Sequence, residues 1–112
     1  MKILLTTLHA KYSHASLALP CLAATCRTLP GVDVLIREWT ANEPREQILR
    51  HIMAERADLV AFSCYIWNIE KTLRIAADIK RIAADTLICL GGPEASFGVF
   101  ELMHANPAVD FV

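Results

Sequence analysis

The sequence predicts an α/β domain built on a doubly wound, five-stranded parallel sheet ordered 2-1-3-4-5, with the last strand truncated. Three observations carry this. Short apolar runs alternate with helix-period segments from one end of the chain to the other. Most of those runs are near-continuously apolar, as strands covered on both faces must be. Two of them end in small or hydroxyl-bearing groups, Ser63-Cys64-Tyr65 and Gly91-Gly92-Pro93-Glu94, at the strand ends where an open α/β sheet binds its ligands.

Taken in order, Lys2 to Thr7 reads as the first strand. The first helix occupies roughly Ser13 to Leu29, because Leu19, Leu22, Cys26 and Leu29 share one face. Pro20 leaves two readings of its start: Ser16 caps a helix whose first turn holds the proline, or the helix begins at Ser13 and bends near residue 16. Pro30-Gly31 ends it. Val32 to Glu38 follows as an edge strand with one wetter face, since Val32, Val34 and Ile36 alternate with Asp33 and Arg37 although Leu35 breaks the pattern. Pro44 suits the first turn of a second helix with a stripe of Ile48, Leu49, Ile52 and Met53.

Leu59 to Cys64 is the third strand. Asn68 is placed to cap a third helix running to about Ala83, with Ile69, Leu73, Ala76, Ile79 and Ala83 inward and Glu70 paired with Arg74 outside. Thr86 to Leu90 is the fourth strand, and Ser96 is placed to cap a short helix ending near His104, before the stop Asn106-Pro107. Val109 to Val112 begins the last strand. Its exposed edge invites pairing with another chain, and the chain's end inside an apolar run reads as that of an N-terminal fragment of a longer polypeptide.

A length of 112 residues with 54% apolar and 21% charged side chains fits one domain, residues 1–112, with one core. The net charge of −1 comes from mixed signs with no basic stripe, which argues against nucleic acid or an anionic membrane as partner. Thr6, Thr7, His9 and Lys11 interrupt the opening apolar stretch before it reaches signal-peptide length, and no uncharged apolar run approaches the roughly 18 residues that span a bilayer. A cytoplasmic protein with four reduced cysteines is expected. Cys21, Cys26, Cys64 and Cys89 lack the paired spacing of a zinc or iron–sulfur site, so no metal-ligating residue is assigned.

In the predicted order the chain reverses direction between strands one and three, and the loops His9 to Ser16, Cys64 to Asn68 and Gly91 to Ser96 converge on the crevice. Four ordered segments lie there or nearby: the run from His9 through Leu19, Phe62-Ser63-Cys64-Tyr65-Ile66-Trp67-Asn68, Leu90-Gly91-Gly92-Pro93-Glu94 and Asn106-Pro107-Ala108-Val109-Asp110. Together they resemble the N-terminal cobalamin (B12)-binding domain of B12-dependent radical SAM proteins, over the whole chain. The resemblance implies a flavodoxin-like, Rossmann-like fold. It also implies that the dimethylbenzimidazole tail of base-off cobalamin enters the crevice, with Ser63 hydrogen-bonding it and Gly91 and Gly92 letting it pass against the backbone. His9, Tyr12, Ser16, Cys64, Tyr65, Pro93 and Glu94 complete the implied cofactor-binding set.

The resemblance further implies a C-terminal radical SAM domain in cis, holding S-adenosylmethionine and a 4Fe-4S cluster, because this chain has no Cys-x3-Cys-x2-Cys motif. The fragment is then not itself catalytic, its parent is methyltransferase-like, and the isolated fragment is expected to carry no cobalamin, since the partner domain would cover the corrin's upper face. The Asp-x-His-x-x-Gly motif that places a histidine on cobalt is missing: His9 and His14 lack its spacing.

Read singly, these residues have plainer roles: Ser63 at its own strand end, Gly91-Gly92 in a tight turn, Tyr65 and Trp67 over the core. It is their joint placement that points to a site. A receiver domain needs an acceptor aspartate where Ser63 stands, and a flavodoxin needs glycine in the loop after Thr6-Thr7-Leu8-His9. Two rivals stay open, a cysteine enzyme with Cys64 activated by His9 or His14, and a non-catalytic interaction module. A side chain placed on Gly92 is expected to fill ligand space at modest cost in stability.

Overall fold

A computed structural model describes residues 1–10 and 16–112. Strands β1 (Lys2–His9), β2 (Asp33–Thr40), β3 (Leu59–Ser63) and β4 (Leu87–Gly91) alternate with helices α1 (Ala18–Cys26), α2 (Arg45–Ala54), α3 (Ile69–Ile82) and α4 (Val99–Ala105). All pairings are parallel, in the order β2-β1-β3-β4.

The fifth strand is a correction: the sheet has four strands, and the C-terminal segment meets β4 at a single parallel bridge between Cys89 and Phe111. At that bridge the Phe111 N–H donates to the Ile88 carbonyl at 3.1 Å and the Leu90 N–H donates to the Phe111 carbonyl at 2.9 Å. On its N-terminal side Asp110 Oδ2 accepts the Ile88 N–H at 2.8 Å, and the Asp110 N–H also turns to the Ile88 carbonyl, at 2.9 Å. A side chain there takes the N–H that a regular ladder would give to the Val109 carbonyl, so the pairing does not extend back before Phe111.

Period-two alternation sorts the strands between two layers. Leu4, Leu8, Val60, Phe62, Ile88 and Leu90 pack with Ile48 and Ile52 of α2 and Ile75, Ala76 and Ile79 of α3. On the opposite face Leu5 and Val34 pack with Leu19 and Ala23 of α1. The β2 edge is wet, with Asp33, Arg37 and Glu38 exposed. Among the described residues the second face is covered by α1 alone, and Ala61 and Cys89 on β3 and β4 remain half-buried.

Several local expectations change. Ser16 Oγ accepts the Leu19 N–H at 3.2 Å and Leu17 already has helical angles, so Ser16 is the cap and Pro20 lies in the first turn. The first helix ends at Cys26, which leaves Leu29 exposed. On α3 the fully buried positions are Thr72, Ile75, Ala76 and Ile79, a set rotated from the expected one, with Ile69 and Leu73 at its margin. No ion pair joins Glu70 to Arg74 among the described residues; α3 is tied instead to α2, Arg45 to Asp78 at 3.2 Å. Ser96 does not cap α4, because its Oγ donates to the Gly92 carbonyl at 2.7 Å and α4 starts after Gly98 at φ +60°. Among the described residues no helix is long and apolar enough to cross a membrane.

Candidate cofactor groove

The alternation that builds the core also builds a gap. Residues 61 and 63 of β3 and 89 and 91 of β4 turn toward the α1 layer, and they are Ala, Ser, Cys and Gly. Side chains this small cannot reach the helix. The result is a groove of about 350 Å³, floored by these four residues and walled by Leu19 and Leu22 of α1. Tyr65, Gly92 and Pro93 form its rim at the C-terminal ends of the strands. Leu22, part of the apolar stripe in the sequence, is 51% exposed because it faces the groove rather than a neighbouring helix.

Ser63 is 7% exposed. Its carbonyl accepts from Thr7 Oγ1 at 2.9 Å and Asn68 Nδ2 at 3.3 Å, while its own hydroxyl has no hydrogen-bond partner among the described residues. Gly91 ends β4 with open space on its side-chain side: a Cβ there meets nothing within 4 Å. Gly92 is different. It adopts φ +90° and lies against the backbone of Cys64.

Asn68 holds the rim. Its side chain makes no cap bond to α3 and turns back toward the strands instead. Oδ1 accepts the Tyr65 N–H at 2.9 Å, and Nδ2 donates to the Leu8 carbonyl at 3.0 Å as well as to that of Ser63. Trp67 Nε1 donates to the same Leu8 carbonyl at 3.1 Å. The Tyr65 and Trp67 rings stack with centroids 4.6 Å apart and planes 2° from parallel. The turn after β3 is therefore pinned to the end of β1 and presents a fixed aromatic pair.

Of the remaining predicted site residues, the described ones are not among those lining the groove. His9 Nε2 and Glu38 Oε1 are 2.8 Å apart, and the same carboxylate oxygen accepts the Ser16 N–H at 3.3 Å. His9 and Ser16 thus anchor the start of α1 to the end of β2. Tyr12 falls outside the described residues, as does His14. Glu94 is exposed and contributes its main-chain N–H to the Cys64 carbonyl at 3.2 Å. Cys64 itself is fully buried in the cluster under α2 and α3. Burial, with Cys89 and Glu94 adding to it and a main-chain bond to Gly91 opposing, pushes its thiol pKa up to about 12. Full burial and a raised pKa both count against Cys64 as a nucleophile.

Ala61, Cys89, Leu5 and Ala18 also line the groove and were not singled out in the sequence. The signal was present for two of them: Ala61 precedes Ser63, and Cys89 precedes Gly91, by the two residues that keep a strand face. Burial raises the Cys89 pKa as well. Among the described residues no cluster of His, Cys, Asp or Glu could hold a metal ion. A second cavity, about 260 Å³ between the far ends of α2 and α3, lies away from the converging loops.

Comparison with known proteins bears on this geometry. The family described as B12 binding domain matches residues 3–112. Over 53 residues, 47% of this chain and 8% of the relative, the sequence is 30% identical to the cobalamin-dependent radical SAM methyltransferase TokK of Streptomyces tokunonensis. A cobalamin-binding protein from Desulfitobacterium hafniense DCB-2 shares the fold with a TM-score of 0.72 at 15% identity, over 99% of this chain and 52% of that one. The chain thus spans about half of the structural relative and a small part of the curated one.

Proposed function

The chain belongs to the B12 binding domain family, and from that premise we propose that it holds base-off cobalamin with the nucleotide tail lodged between α1 and the β3–β4 floor. One observation carries the proposal. The groove's floor is stripped of large side chains at Ala61, Ser63, Cys89 and Gly91, yet the buried residue Ser63 keeps a hydroxyl with no protein partner among the described residues. A flat aromatic tail needs such a slot: an apolar cleft of at least about 300 Å³ with few polar groups.

In this reading Ser63 Oγ donates to the tail, Gly91 lets it lie against β4, Leu19 and Leu22 cover its other face, and Tyr65, backed by Trp67, walls the mouth. Gly92 keeps the turn tight. Cobalamin, when bound, supplies a cobalt centre able to carry an alkyl group. The domain binds and orients it. His9 is engaged by Glu38, which fits a site in which His9 is not a cobalt ligand.

The similarity to TokK supports a parent protein with a C-terminal radical SAM domain; in this reading that domain would hold S-adenosylmethionine and an iron–sulfur cluster and would lie over the bound cobalamin. The four free thiols fit a reducing, cytoplasmic setting. Absorption titration of the purified protein with cobalamin and with cobinamide, which lacks the nucleotide tail, tests the binding reading. Cobalamin is expected to bind, in its base-off spectrum, and to bind more tightly than cobinamide. A folded protein that binds neither would refute the proposal.

A further inference from the structure

We infer that the groove reads the chemistry of the tail's base, accepting a benzimidazole and discriminating against a purine. The inference rests on the cobalamin reading above and goes beyond it to the choice among cobamides. It follows from an account of the polar groups around the groove. The Ser63 carbonyl is taken by Thr7 and Asn68, the Gly91 carbonyl by the Cys64 N–H at 2.8 Å, and the Gly92 carbonyl by Ser96 Oγ at 2.7 Å. The Asn68 amide is spent on Tyr65, Leu8 and Ser63. Pro93 has no N–H to give.

Of the described lining side chains only Ser63 and Tyr65 carry a hydroxyl, and Tyr65 is stacked on Trp67 at the rim. Among the described residues the floor of the slot therefore offers one hydroxyl, Ser63 Oγ, beside the Cys89 thiol and apolar contact. A benzimidazole joined to its ribose through one ring nitrogen keeps one free ring nitrogen, an acceptor. One donor meets one acceptor. Adenine joined in the same way brings further ring acceptors and an exocyclic amine, and each one buried without a partner keeps its full desolvation cost.

The test is equilibrium titration of the protein with cobalamin, with the cobamide that carries adenine as its lower base, and with cobinamide, read by absorption and by tryptophan quenching. Cobalamin is expected to bind about tenfold or more tightly than the adenine cobamide, the worth of one unmatched buried polar group. Cys89→Ser, which adds a hydroxyl to the floor, is expected to narrow that gap. Equal binding of the two cobamides, both above cobinamide, overturns the selectivity and leaves the cobalamin reading standing. A gap that persists unchanged in folded Cys89→Ser overturns the hydrogen-bond account, and cobinamide binding as tightly as cobalamin shows that the tail lies outside the groove. Binding of none of the three overturns the cobalamin reading itself.

Discussion

Gly92 and Cys64 are packed backbone to backbone: a Cβ on Gly92 would stand 2.6 Å from the Cys64 carbonyl oxygen and 2.8 Å from its nitrogen. The glycine also sits at φ +90°. The sequence allowed a side chain here at modest cost, and the structure corrects that expectation, since contact with fixed main chain cannot be relieved by a rotamer change. Gly92→Ala is expected to lose at least about 2 kcal/mol, from the unfavourable backbone angle and the displaced turn together. Chemical denaturation measures it, and wild-type stability in the variant would show that the turn shifts freely.

Gly91 is the cleaner probe of the groove. It lies in β4 with open space where a side chain would go, and strands favour β-branched residues. Gly91→Val should keep the wild-type melting temperature within a few degrees while its isopropyl group occupies the slot. Cobalamin affinity is expected to fall at least about tenfold, the scale of overpacking a filled apolar site. Undiminished binding by the folded variant would place the tail elsewhere.

Ser63→Ala separates the hydroxyl from the space it occupies. Because Oγ has no protein partner among the described residues and the carbonyl network is main-chain in origin, stability should change little. Cobalamin binding should weaken by about 1 kcal/mol, one neutral hydrogen bond. A titration showing equal affinities would remove Ser63 from the contact set.

The fold was legible because its signals are local. Apolar runs fixed the first four strands, and the glycine and serine at the ends of β3 and β4 marked the right edge of the sheet. What sequence could not show were the choices made by side chains with several partners. Asn68 had the residue type of a helix cap, but its partners at Tyr65, Leu8 and Ser63 outcompete a single N–H of α3. Asp110 had the look of a strand residue, but its carboxylate takes the Ile88 N–H that a regular ladder would give to the Val109 carbonyl, so pairing starts only at Phe111. Of the predicted site, Ser63, Tyr65, Gly91, Gly92 and Pro93 come together at the groove. Cys64 does not, because successive strand residues point to opposite faces and residue 64 follows residue 63.

Asp110 gives the last prediction. Its Oδ2 holds both the Ile88 N–H and Lys80 Nζ at 2.8 Å, joining the C-terminal segment to β4 and α3. Burial alone would raise its pKa, but the Lys80 hydrogen bond, the Ile88 N–H and the Lys80 charge outweigh it and leave the carboxyl below its ordinary value. A folded-state pKa that is lowered contributes stability above the unfolded value, about 4 for Asp, and that contribution disappears as pH falls through the lowered folded value. Asp110→Asn retains an acceptor for Ile88 and loses the charge, so it should cost about 1 kcal/mol at neutral pH, the pair being partly solvated. The difference between wild type and variant should then shrink as denaturation is repeated at decreasing pH below about 4. If the two stabilities instead fall in parallel over that range, the carboxylate is not what holds the C-terminal segment against β4, and the main-chain bonds from Asp110 and Phe111 to Ile88 suffice.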